Sequence, residues 1–191
     1  MDKIGEKISF IAFFFTIMNI SSSPHPIALI LCYVVHEIGH IFFAKVNGIN
    51  MRKIKVGSFR LSLSYDCTNI SYKKELLVCV GGIAFNLAFA FLSNVMLGKK
   101  SEAFAFFSMY NLSLALMNIY PISTLDGGGI LRCIFMLIFD FETAERLSRA
   151  VSFMFVFILW LLAVYLQLAF NANASLFFIS VFLLIELCFS N

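Results

Sequence analysis

Apolar segments long enough to cross a bilayer recur along the whole chain, and they confine it to a helical membrane architecture. A membrane helix needs about 20 predominantly apolar residues. Backbone buried in lipid must satisfy its own hydrogen bonds, which a helix does internally. Six spans can be drawn, at 8–20, 27–46, 75–97, 103–120 with a broken continuation at 130–139, 150–170 and 175–189. The first is read as a span rather than a signal peptide, because "NISSSPHP" offers only a loose cleavage site. The expected fold is an all-α polytopic membrane protein, a single domain over 1–191. Its composition agrees: 61% of residues are hydrophobic and 13% charged, where soluble domains carry about 25% charged residues. With no soluble basic face, a nucleic-acid partner is not expected. The five cysteines form no CxxC pair and read as small buried hydrophobes rather than disulfides.

Between the second and third spans the texture changes. Ile54, Val56, Phe59, Leu61, Leu63 and Tyr65 fall in alternation with polar residues, with Gly57 between the two runs. A period of two with a central glycine predicts a short β-hairpin or re-entrant segment. Its basic residues also suit anionic lipid headgroups.

Lysine and arginine set the orientation, because they concentrate in cytoplasmic segments. With the N-terminus inside, the inner segments and inner span ends hold Lys3, Lys7, Lys45, the cluster from Arg52 to Lys74, Arg132, Arg146 and Arg149. Only Lys99 and Lys100 fall outside. Six spans with both termini cytoplasmic preserve that segregation, and an odd number breaks it.

One span carries ionisable residues where they are costly. His36, Glu37 and His40, in "YVVHEIGHIFF", have the form HExxH. Residues four apart share a helix face, so both imidazoles can reach one metal ion. Zinc takes histidine nitrogen, and the adjacent Glu37 is then placed to remove a proton from the attacking water. Ionisable residues inside a span cost a few kcal/mol and mark functional sites. A catalytic zinc usually has three protein ligands. His25, the remaining histidine, lies between two prolines, fifteen residues before His40. Asp126, in "NIYPISTLDGGGIL", is the better third ligand. Pro121 breaks the helix there, Gly127, Gly128 and Gly129 let the backbone bend, and its depth matches that of His40.

Several stretches together resemble the site-2 protease family of intramembrane zinc metalloproteases. HExxH at His36–His40 resembles the family's zinc motif. "LDGG" at Leu125–Gly128 resembles its LDG motif, whose aspartate is the third ligand. "GGIAFN", ending at Asn86, is similar to its central-span motif, with Ile83 where proline is frequent. "NIYP", Asn118 to Pro121, is similar to the asparagine and proline before LDG. The resemblance covers about 27–131, with a layout like the stage IV sporulation branch. It implies a zinc endopeptidase cutting in or near a transmembrane segment, with zinc as cofactor. His36, His40 and Asp126 would be the ligands and Glu37 the general base. Asn86 and Asn118 would be oxyanion donors or substrate clamps, although each also suits an interhelical hydrogen bond. The partners implied are a membrane-protein substrate, the lipid bilayer and a regulatory membrane protein. No PDZ or CBS module is expected. The alternative functions are an inactive homologue or a metal-binding or transport protein. A transporter needs polar groups stacked through the membrane, whereas here they gather at one depth.

Overall fold

A computed structural model describes residues 26–49, 53–56, 61–64, 71–96, 101–170 and 175–189. The expected span at 8–20, and His25, lie outside these residues. The described elements are α1 (Pro26–Val46), β1 (Lys53–Val56), β2 (Leu61–Ser64), α2 (Tyr72–Met96), α3 (Glu102–Ile119), α4 (Asp126–Ile138), α5 (Phe141–Phe170) and α6 (Ser175–Phe189). The strands pair antiparallel, with Ile54 opposite Leu63 and Val56 opposite Leu61. Among the described helices, three are long and apolar enough to cross a membrane: Ile27–Val46, Tyr72–Val95 and Phe141–Phe170.

Helix α1 shows how the sequence sorts its faces. Ala28, Cys32, His36, His40 and Ala44 recur every four residues and are buried. Ile27, Ile30, Leu31, Val34, Ile38 and Phe42 face outward. A soluble protein hides its apolar stripe. Here large apolar side chains cover the outside, as lipid contact requires, and the two histidines sit on the inward stripe.

That stripe packs on α2, which also contacts α3 and α4. The α1–α2 crossing has no room for side chains. A Cβ added at Gly39 would overlap the Gly81 carbonyl, and one at Gly81 would lie 2.7 Å from the Gly39 carbonyl oxygen. Small residues let membrane helices approach to backbone contact, where dispersion and weak polar contacts hold them together. Gly39 is therefore the contact point that lets α2 reach the histidine face, a larger role than an incidental small residue in a span.

Two of the expected boundaries shift. The fourth span and its continuation are two separate helices, α3 and α4, and α4 begins at Asp126 rather than 130. The glycines after Asp126 do not bend the chain; they are helical and buried. They are small because α4 starts against the end of α3. A Cβ at Gly127 would overlap the carbonyl oxygens of Ile119 and Tyr120, and one at Gly128 would overlap that of Ile122. Helix α5 begins at Phe141, nine residues before the expected 150. Hydropathy missed this amphipathic start, but its cap was in the sequence. Asp140 Oδ2 accepts from the Thr143 backbone N–H at 3.0 Å, the usual N-cap bond. Donation from Thr143 backbone and side chain holds the exposed Asp140 carboxyl below its ordinary range.

Helices α5 and α6 close over the 120–125 loop. Ile122 and Leu125 from the loop pack with Val156 and Leu183. The Ser152 hydroxyl donates to the Pro121 carbonyl at 3.3 Å and to that of Ser148 at 2.8 Å. Arg132 on α4 bridges Glu75 on α2 and Glu145 on α5. Cys32, Cys79 and Cys133 are buried and in no disulfide, while Cys188 is exposed.

The contact of α4 with the loop before it gives a stability prediction. Gly128→Ala puts a methyl against backbone that cannot rotate away. Overpacking of this kind costs about 1–3 kcal/mol. Thermal unfolding of the detergent-solubilised protein is expected at a lower midpoint, despite alanine's better helix propensity.

Candidate metal centre

Three buried side chains from two helices converge on one point. His36 and His40 project from successive turns of α1, and Asp126 is the first residue of α4. Their exposures are 5%, 8% and 5%. His36 Nε2 lies 3.1 Å from His40 Nε2. Asp126 Oδ2 lies 3.0 Å from His36 Nε2 and 3.3 Å from His40 Nε2.

Those three distances test the fit to a metal. Ligand atoms at about 2.0–2.1 Å from a tetrahedral zinc stand about 3.3 Å from one another. The observed triangle is close to one face of such a tetrahedron. Asp126 Oδ2 supports the same conclusion from hydrogen bonding. It is buried yet has no properly directed hydrogen bond, although two imidazole nitrogens lie within 3.3 Å. A buried carboxylate oxygen without a donor is expensive, and a shared cation resolves that cost. The three residues are the group among the described residues able to hold a metal ion.

Local structure explains how each donor group arrives. The α1–α2 crossing at Gly39 and Gly81 holds the histidine face against α2, and His40 Nδ1 lies 2.8 Å from the Val78 carbonyl oxygen. That carbonyl only accepts, so Nδ1 carries the proton and Nε2 is free as a ligand. Leu125 is extended, with φ −107° and ψ 165°, and turns the chain into α4. Asp126 then stands at the helix N-terminus, whose dipole favours negative charge.

Glu37 follows His36 on α1 and is only partly buried. Its Oε2 is enclosed and has no hydrogen-bond partner. Tyr33, one turn earlier, makes a side-chain hydrogen bond with the Glu37 carboxylate. The carboxylate is thus anchored through part of its capacity and free through the rest.

The two asparagines fare differently. Asn86 is wholly buried, and its amide Nδ2 lies 3.3 Å from His36 Nδ1. Asn118 is buried on α3, but its Nδ2 donates to the Leu114 carbonyl of its own helix at 3.0 Å. Sequence reasoning missed Gly82. A Cβ there would lie 2.6 Å from His40 Nε2 and 2.7 Å from His36 Cε1. Its signal was the second glycine of "GGIAFN". The Val78 carbonyl carries no sequence signal, since any residue supplies one.

With this geometry in view, the chain was compared with known proteins. Peptidase family M50 matches residues 94–162, which include Asp126 and begin after the His36–His40 helix. Stage IV sporulation protein FB of Bacillus subtilis is 29% identical over 145 residues, which is 72% of this chain and 50% of that protein. A Synechocystis protein, named provisionally as the zinc metalloprotease sll0528, is 30% identical over 108 residues, 53% of this chain and 28% of that one. The chain is similar to site-2 proteases. The solved site-2 protease from Methanocaldococcus jannaschii has the same fold, with a TM-score of 0.70 and 22% identity over 94% of this chain and 86% of that one. The chain spans half the length of the sporulation protein and about a quarter of the cyanobacterial one.

Gly82 provides a direct test. Gly82→Ala places a methyl against both imidazoles while improving helix propensity by about 1 kcal/mol. Zinc content measured on the purified protein is expected to fall sharply, with helicity by circular dichroism unchanged. Zinc bound at the wild-type level would show that the imidazoles do not need that space.

Proposed function

We propose that the chain is an intramembrane zinc metalloprotease that hydrolyses a peptide bond in or near a transmembrane segment of another membrane protein. The triangle of His36, His40 and Asp126 donor atoms, with edges of 3.0–3.3 Å, carries this reading. Two imidazoles and a carboxylate form a donor set suited to zinc, and His36, His40 and Asp126 would hold it. The similarity to site-2 proteases supports the same assignment.

Zinc held by these residues would supply a Lewis acid and ease deprotonation of water at neutral pH. The chain's own residues do the rest. Glu37, through its unpartnered Oε2, accepts the proton of the attacking water and returns it to the leaving amine. Tyr33 limits the swing of that carboxylate. Against the imidazoles lie α2 backbone at Val78 and Gly82 and the Asn86 amide, a buried setting that keeps bulk water from competing.

The substrate is taken to be a membrane protein with a transmembrane segment, since the site lies among helices whose outer faces are apolar. A helical substrate must unwind before its peptide bond can be attacked. The β1–β2 pair between α1 and α2 offers strand edges on which an extended segment could add. The distribution of Lys and Arg favours six spans, both termini cytoplasmic and a site nearer the cytoplasmic side. A regulatory membrane partner fits this reading, and no nucleic acid enters it.

The deciding experiment uses the full-length protein in liposomes with a single-span candidate substrate. Wild type is expected to cleave, Glu37→Gln to lose about 10²-fold or more in rate, and chelator-treated enzyme to recover on adding zinc. Equal cleavage by all three rules out the assignment. His36→Ala with Asp126→Ala is expected to abolish stoichiometric zinc, and zinc retained by that double variant would rule out the ligand set. Proline at Ile54 is expected to slow cleavage of an intact span more than that of an unstructured peptide.

A further inference from the structure

We propose that Asn86 is a positioning residue for His36: its side-chain oxygen accepts the Nδ1–H of His36 and holds that imidazole in the tautomer that offers Nε2 to the metal. This inference rests on the metalloprotease reading and assigns Asn86 a task within it.

The two ligand histidines must meet the same requirement. A neutral imidazole that binds metal through Nε2 carries its proton on Nδ1, and a buried N–H needs an acceptor. His40 has one in the Val78 carbonyl at 2.8 Å. For His36 the neighbour of Nδ1 is the Asn86 amide at 3.3 Å. Both groups are buried, at 5% and 0% exposure.

As placed, Asn86 Nδ2 faces His36 Nδ1, and the amide oxygen Oδ1 is buried with no partner. That arrangement suits an imidazole whose proton is on Nε2, the nitrogen 3.0 Å from Asp126 Oδ2. Moving the proton to Nδ1, as metal binding through Nε2 requires, would set an N–H against an NH₂. Two opposed donors in a buried site are repulsive. A half-turn of the amide plane removes the conflict. It exchanges Nδ2 for Oδ1, brings an acceptor to Nδ1–H, and gives the orphaned oxygen its partner. The NH₂ then takes the place that Oδ1 held.

The reading separates Asn86 from an oxyanion donor, for which the NH₂ is the working end. Aspartate and leucine distinguish the two. Asn86→Asp keeps the acceptor and deletes the donor. Asn86→Leu keeps the size and deletes both. Zinc affinity of the detergent-purified full-length protein would be measured by competition with a chromophoric chelator, with thermal melts confirming that each variant is folded.

Leucine is expected to weaken zinc binding about 10–100-fold, the usual effect of removing the partner of a ligand histidine. Aspartate is expected to bind zinc at least as tightly as wild type. Aspartate weakening zinc as much as leucine, or leucine leaving it unchanged, overturns the proposal. A measurement on wild type guards against misfolded variants. In zinc-loaded protein with ¹⁵N-labelled histidine, His36 is expected to show Nε2 as the metal-bound nitrogen and a proton on Nδ1. The opposite assignment overturns the proposal. Wild-type protein that binds no zinc at all would instead overturn the metalloprotease reading, and this inference with it.

Discussion

Backbone contact between Gly39 and Gly81 is the constraint on which the rest of the structure depends. Lipid tails are as apolar as leucine, so membrane helices associate through close packing rather than a hydrophobic drive. This crossing is tight enough that neither glycine tolerates a β-carbon. It lies one residue from His40 and one from Gly82. The same contact that joins α1 to α2 therefore presses the imidazoles onto Gly82, within reach of the Val78 carbonyl and the Asn86 amide. Stability and site geometry share a single point of contact.

A second close approach completes the arrangement. Helix α4 starts against the end of α3 at Gly127 and against the loop at Gly128, where neither position has room for a side chain. That contact fixes the direction from which Asp126 enters, and α5 holds the loop through Ser152 and Val156. Burying a carboxylate and two imidazoles among apolar helices costs free energy that packing must cover. The donors are held in advance at about the separation zinc requires. A metal ion that binds then gains from the burial instead of opposing it.

Most of the site was legible because membrane sequences make polar residues conspicuous. Three ionisable groups in a twenty-residue apolar helix have few structural explanations, and a four-residue spacing places two of them on one face. Asp126 was legible through its setting: a proline, a run of glycines and a depth matching His40. The glycines stand out in the sequence but their role does not, because flexibility and close approach call for the same residue. Only the position of Ile119 and Tyr120 against Gly127 separates the two. The start of α5 was missed for a different reason. Its first turns are amphipathic, so hydropathy alone passes over them, while the Asp140 cap marks the boundary.

The chain by itself determined a helical membrane architecture, since lipid leaves the backbone few alternatives. It also named the residues able to carry metal chemistry, because ionisable groups have few other accounts in an apolar span. Tertiary structure alone decided that Asn86 meets His36 while the Asn118 amide is spent on its own helix. It alone decided that Gly82 is required to be small, and that a carbonyl of Val78 sets the state of His40. The physical reason is that these are statements about pairs. A residue's chemistry is written in its own letter, but its partner depends on how α1 and α2 cross, and no local pattern in either helix fixes that.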